Sequence, residues 1–141
     1  MVHKTTPKNF SPRFEVVSCY VECGEKLLFL HRHNEKSQGG KWGVPAGKIE
    51  IGENEFDAMI REAREETGIE LVRDKLEYLD KVFVRYPDYD FVYHMFRARL
   101  SAEPIVVINP KEHQTFLWTI STDALKMNLV LDLDTCIKMY Y

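Results

Sequence analysis

The 141-residue sequence holds only three cysteines, Cys19, Cys23 and Cys136, with no Cys-x-x-Cys pair and no second group of soft ligands nearby. A disulfide framework and a thiolate zinc site are thereby excluded, and the three read as reduced thiols. No apolar run is long enough for a transmembrane helix, and the first dozen residues lack the apolar stretch of a signal peptide. An excess of positive charge is also missing: 19 Lys plus Arg stand against 22 Asp plus Glu, a formal net charge of -3. That balance argues against a nucleic-acid-binding surface. With 7 glycines, 6 prolines, no repeats and no low-complexity tract, the chain is neither collagen-like nor disordered. What remains is a soluble, cytoplasmic globular protein with one self-sufficient core and no membrane partner.

Residues 1–13 are polar, with Pro7 and Pro12, and suggest a flexible leader ahead of a single domain over 14–141. Phe14 to Val21 and Lys26 to His31 are β-rich runs around the turn Cys23-Gly24-Glu25, which predicts a hairpin. A polar, glycine-containing loop leads from His33 to Trp42-Gly43-Val44-Pro45-Ala46-Gly47. A helix follows from about Glu53 to Thr67, ended by Gly68, with Phe56, Met59, Ile60 and Ala63 forming its apolar stripe. Leu76 to Tyr86 and Phe91 to Leu100 predict a second hairpin across Pro87-Asp88-Tyr89-Asp90, and a strand follows over Gln114 to Thr119. Ser121 is placed to cap a short helix over Thr122 to Lys126, and Leu133, Ile137 and Tyr140 give the last segment a helical stripe. This order predicts an α/β fold, a mixed β-sheet with helices on both faces.

The far side of the central helix is anomalous. With Phe56 as zero and about 100° per residue, Glu65, Glu62 and Glu66 fall at about 180°, 240° and 280°. Three carboxylates thus share one arc, at spacings where like charges destabilise a helix. Arg61, at about 140°, is placed to pair with Glu65 one turn on, but not to neutralise Glu62 or Glu66. Carboxylates converging without basic partners suit a hard divalent cation such as Mg²⁺ or Mn²⁺, which takes oxygen ligands and leaves positions for water and phosphate. No Cys or His lies in the arc, which disfavours zinc.

Gly47, Glu53 and Arg61-Glu62-Ala63-Arg64-Glu65-Glu66-Thr67-Gly68-Ile69 reproduce the pattern of a glycine, five residues, Glu, seven residues, then Arg-Glu-apolar-any-Glu-Glu-any-Gly-apolar. This is the Nudix box without a departure, and the chain resembles the Nudix hydrolases of MutT-like type. The lead-in Trp42-Gly43-Val44-Pro45 is similar to the family's own, except that Ala46 stands where many members have glycine. The resemblance implies an α/β/α sandwich that cleaves a nucleoside diphosphate linked to a further group, by water attack at phosphorus with Mg²⁺ or, alternatively, Mn²⁺ as cofactor. It implies a nucleotide-derived small molecule as partner, and it is compatible with a homodimer.

By residue, the resemblance makes Glu62, Glu65 and Glu66 metal ligands, joined by the Ala46 carbonyl and by Glu112, an extra acid six residues before Trp118. The general base is left open between Glu62 and Glu112. Arg61 is expected to orient Glu65, and Glu53 to support the site while favouring the helix dipole. Arg32, Lys41 and Lys48 lie on the approach to the box, with Arg32 and Lys48 the candidates for substrate phosphate. Trp42 is a candidate for stacking a base, with Phe83, Tyr86, Tyr89 and Tyr93 behind it. The five histidines show no metal-ligand spacing.

Three substrate groups compete. Val44-Pro45-Ala46-Gly47-Lys48-Ile49-Glu50 resembles nucleoside triphosphate pyrophosphatases, which the sequence favours. Tyr86 falls about where dinucleoside polyphosphate hydrolases carry a tyrosine. The proline typical of ADP-ribose and other nucleotide-sugar members is absent at Arg85, with Pro87 nearby. A non-catalytic nucleotide sensor is the rival from another class; such domains usually lose box carboxylates, and this chain keeps all of them. The charge itself is localised: residues 50 to 66 hold seven acids against two arginines, leaving the other 124 residues slightly basic.

Overall fold

The structure is a computed structural model describing residues 1–141. Its strands are β1 (Val2–His3), β2 (Pro12–Cys23), β3 (Lys26–Arg32), β4 (Trp42–Gly43), β5 (Ala46–Lys48), β6 (Leu76–Arg85), β7 (Asp90–Leu100) and β8 (His113–Ile120). The helices are α1 (Glu55–Thr67), α2 (Ser121–Ala124) and α3 (Leu133–Tyr140). All strands join one sheet in the order β1-β6-β7-β2-β3-β4, with β5 on β2 and β8 on β3.

The long strand β2 organises the sheet. One edge runs parallel to β7 from Pro12↔Asp90 to Cys23↔Leu100. Its other edge changes partner along its length, pairing Val16–Ser18 with β5 and only Glu22 and Cys23 with β3. The expected first hairpin is therefore a narrow junction, and β3 pairs mainly with β8, from Lys26↔Ile120 to Arg32↔His113. The second hairpin forms as expected, with Arg85 clamped on Asp90 at 3.0 Å across its neck.

Alternation along β2 and β3 creates two cores. Val17, Cys19, Val21, Leu28 and Leu30 face Ala58, Met59 and Ala63 of α1. Tyr20, Leu27 and Phe29 point the other way, onto Ala124, Leu133 and Ile137. The result is an α/β/α sandwich. Helix α1 starts where the Asn54 side chain accepts from the Asp57 N–H at 2.9 Å and stops at Gly68, whose φ of 73° is left-handed.

Two local expectations are corrected. Residues 1–13 are not a loose leader: Val2 and His3 pair with Val84 and Phe83 of β6, and Phe10 packs edge-on against Phe83 at 5.4 Å. These apolar residues have a sheet edge to dock on. Ser121 does not cap α2; it is the first helical residue, the cap position falls on Ile120, and no side chain bonds there. The three cysteines are free. No helix is long and apolar enough to cross a membrane.

Candidate active site

Arg61 is the hub of the site, and all five of its N–H groups are used. Nε and Nη2 fork onto the two Glu53 oxygens at 2.8 and 2.9 Å, Nη2 also reaches the Lys48 carbonyl at 3.0 Å, and Nη1 reaches Glu62 at 2.8 Å and Glu65 at 3.2 Å. The planar guanidinium suits this because its donors point in fixed directions. The expectation that Arg61 cannot meet Glu62 is corrected: helical angles locate Cβ atoms, whereas this long side chain curls along the helix toward the loop before α1. The Arg61 guanidinium holds the Glu53 carboxyl below its usual value, helped by the Glu50 N–H.

Glu62, Glu66 and Glu112 come together in a cavity of about 380 Å³ that Ala46, Gly47, Lys48, Arg32 and Lys36 complete. Burial pushes the Glu62 carboxyl up against the pull of Arg61, and the charges of Glu65 and Glu112 push the same way. Glu66 sits deeper. It is 5% exposed, accepts the Ala46 N–H at 2.8 Å, and is pushed well above its usual value by burial, with Glu62 and Glu112 adding to the effect. The loop of Ala46 and the turn carrying Glu112 cover that side of α1. Glu112 is held by backbone bonds, its N–H to the Asn109 carbonyl and its carbonyl to the His33 N–H. Glu65 stays on the rim, with its side chain 57% exposed and outside the lining of the cavity.

A second cavity, of about 220 Å³, adjoins the first and shares Arg32, Ala46, Gly47, Lys48 and Glu66 with it. Its walls are Phe14, Tyr86, Tyr89, Phe91 and Tyr93, closed by Val44 and Leu133. Arg32 is held by the Ser37 carbonyl at 2.8 Å, and the Lys48 ammonium lies 4.2 Å over the Phe14 ring. Both cations thus stand at the seam between acids and aromatics. Lys41 lies away from both cavities. So does Trp42, which the sequence put among the substrate-binding residues: it stacks on His31 at 4.4 Å, takes backbone bonds with Asn128 and Val130, and packs against the α2–α3 core. Its strand turns the indole toward that core rather than into the aromatic cavity.

One residue escaped the sequence. His113 lies 4% exposed with Nδ1 buried and unpartnered, and a ring nitrogen comes within 4.8 Å of carboxylate oxygens of both Glu66 and Glu112. Burial, then Arg32 and His31, lower its pKa to about 4, so it is neutral and keeps a lone pair to offer. The only sequence signal was its adjacency to Glu112. The five histidines show no metal-ligand spacing along the chain, and only the fold sets His113 beside two of the acids. The clustered carboxylate oxygens suit Mg²⁺ or Mn²⁺, and the imidazole adds a nitrogen donor beside them.

A family model described as the NUDIX domain matches residues 12–137. An uncharacterized Nudix hydrolase of Bacillus subtilis is 40% identical over 62 residues, covering 44% of this chain and 37% of its own. The CTP pyrophosphohydrolase of Escherichia coli is 41% identical over 56 residues, covering 40% of this chain and 42% of its own. The chain thus spans about two fifths of the length of these curated relatives. Among solved structures, the MutT protein of Methanosarcina mazei superposes with a TM-score of 0.78 at 22% identity, over 92% of this chain and 93% of that one. The Escherichia coli ORF135 protein gives 0.73 at 26% identity, over 89% and 86%. With the family pattern matched from β2 into α3, this chain belongs to the Nudix domain family.

Proposed function

We propose that the chain hydrolyses a phosphoric anhydride in a nucleotide-derived small molecule, with a nucleoside triphosphate as the preferred substrate and a nucleoside monophosphate and pyrophosphate as products. The observation that carries this is the seam: Arg32 and Lys48 line both the acidic and the aromatic cavity, so one molecule can place its phosphates among the acids and its base among the tyrosines. The aromatic cavity, at about 220 Å³, is below the roughly 300–1,000 Å³ of pockets that enclose a whole ligand, which suits one base rather than two nucleosides. The relative named as a CTP pyrophosphohydrolase supports the triphosphate. Structural neighbours described with ADP-ribose, or with AMP and a Mn ion, support a nucleotide more generally.

A divalent cation, Mg²⁺ or Mn²⁺, held by Glu62, Glu66, Glu112 and the Ala46 carbonyl, with Glu65 reaching in from the rim, would neutralise phosphate charge and acidify the attacking water. The remaining work falls to the chain. Arg32 and Lys48 position the phosphates, and Arg61 fixes Glu62 and Glu65. Glu62 is the favoured proton acceptor, because Arg61 anchors one of its oxygens within the acidic cavity; Glu112 is the alternative. The test is a panel of nucleoside triphosphates, ADP-ribose, other nucleotide sugars and dinucleoside polyphosphates with Mg²⁺ or Mn²⁺. Turnover of a triphosphate, abolished by Glu66→Gln in a folded protein, is expected. Tight nucleotide binding without turnover of any compound would show the sensor instead.

A further inference from the structure

We infer that His113 is a nitrogen ligand of the cation site and tilts that site toward Mn²⁺ over Mg²⁺. The inference rests on the metal-dependent reading above and adds to it a residue outside the box. His113 opens β8, directly after the turn that carries Glu112, on backbone held by bonds to Asn109 and His33. Strand β8 is registered against β3 at Arg32↔His113, which brings the ring to the seam where the two cavities share Glu66. There the ligand atoms of Glu66, Glu112 and His113 lie within 4.8 Å of one another, a separation that a single ion can span.

The His113 Nδ1 is buried with no partner in the protein, and a buried polar nitrogen left so costs free energy. Glu66 is nearly as bare, with the Ala46 N–H as its protein donor. A cation bound between them relieves both. The donor set also carries a selectivity. Mg²⁺ holds to oxygen ligands in strict octahedral geometry, whereas Mn²⁺, although the weakest binder of the divalent first-row series, belongs to that series and takes a nitrogen donor more readily than Mg²⁺ does.

The experiment uses the full chain, stripped with chelator and titrated with Mn²⁺, with the free ion followed by electron paramagnetic resonance. Bound Mn²⁺ should show electron spin echo modulation from directly coordinated ¹⁴N. In His113→Gln, of near-native circular dichroism, that modulation should vanish, and the ratio of Mn²⁺ to Mg²⁺ affinity should fall about tenfold, at the lower end of what metal-site partners contribute. His31→Gln should keep the modulation and so exclude the neighbouring ring. Mn²⁺ binding that depends on Glu66 but shows no nitrogen coupling would overturn the role of His113 and leave the cation site standing. Binding that is absent, or indifferent to Glu66→Gln, would overturn both.

Discussion

The Glu62 carboxylate lies on the α-carbon of Gly47: a Cβ built at Gly47 would come within 2.0 Å of Glu62 Cδ and 2.3 Å of both its oxygens. Gly47 is glycine for space, not for backbone angle, since its φ is not left-handed. Gly47→Ala must push Glu62 off the position set by Arg61. Turnover should fall about 100-fold, the scale of an ångström-sized misplacement at a reacting centre, with a near-native circular dichroism spectrum. Unchanged turnover would show that Glu62 needs no fixed position.

Gly68 is the opposite case. Its φ is 73°, and a Cβ there would meet Val107 only at an ordinary 3.5 Å. Gly68→Ala should therefore lower stability by about 1–2 kcal/mol through the left-handed conformation alone, measured by urea denaturation, with turnover per folded molecule preserved.

Glu66 is expected to oppose folding in the metal-free protein. Its folded pKa is raised above the ordinary 4.5, so its favourable contribution is complete below that pH and is lost as pH rises through the raised value. Glu66→Gln keeps an acceptor for the Ala46 N–H without the charge. In chelator at neutral pH the variant should melt higher by on the order of a few degrees, the gap closing as pH drops below 4.5. Added Mn²⁺ should reverse the order.

Glu53 carries the opposite sign, its carboxyl being lowered chiefly by the Arg61 hydrogen bonds. The stability it contributes is present above 4.5 and is lost as pH falls through the lowered value. Glu53→Gln should melt lower than the parent at neutral pH and converge with it in acid. Arg61→Lys should cost about 1.5–3 kcal/mol, the range for hydrogen bonds to charged groups, and lower kcat, because a lysine cannot span Glu53, Glu62, Glu65 and the Lys48 carbonyl together.

Arg32 and Trp42, both candidates for substrate contact from the sequence, should separate. Arg32→Ala should raise KM for a triphosphate by roughly tenfold, a loss of about 1.4 kcal/mol. Trp42→Phe should leave KM within about twofold and lower the melting temperature, as a partner of His31 and the α2–α3 core would. A KM effect of equal size at Trp42 would return it to the binding surface.

Periodicity alone located α1, its apolar stripe from Phe56 to Ala63, and the acids along its other side, because a helix repeats by fixed angles. Spacing alone made the box recognisable, since its residues are close in the chain. Strand content was equally legible from β-branched and aromatic runs. The partners of β2 were not, because parallel pairing with β7 and the exchange between β5 and β3 are long-range choices that no local pattern records.

The sequence by itself therefore determined the family resemblance, the kind of chemistry to expect and which acids are candidates for it. Tertiary structure decided how those acids differ: Glu66 buried, Glu62 pinned over Gly47 by Arg61, Glu65 left on the rim. It also brought in His113, from more than forty residues along the chain, and sent Trp42 away. The physical reason is the same throughout. Burial, pKa and shared cavities depend on which segments cover a side chain, and here the covering loops of Ala46 and Glu112 arrive from strands far apart in sequence, set by the register of β5 on β2 and of β8 on β3.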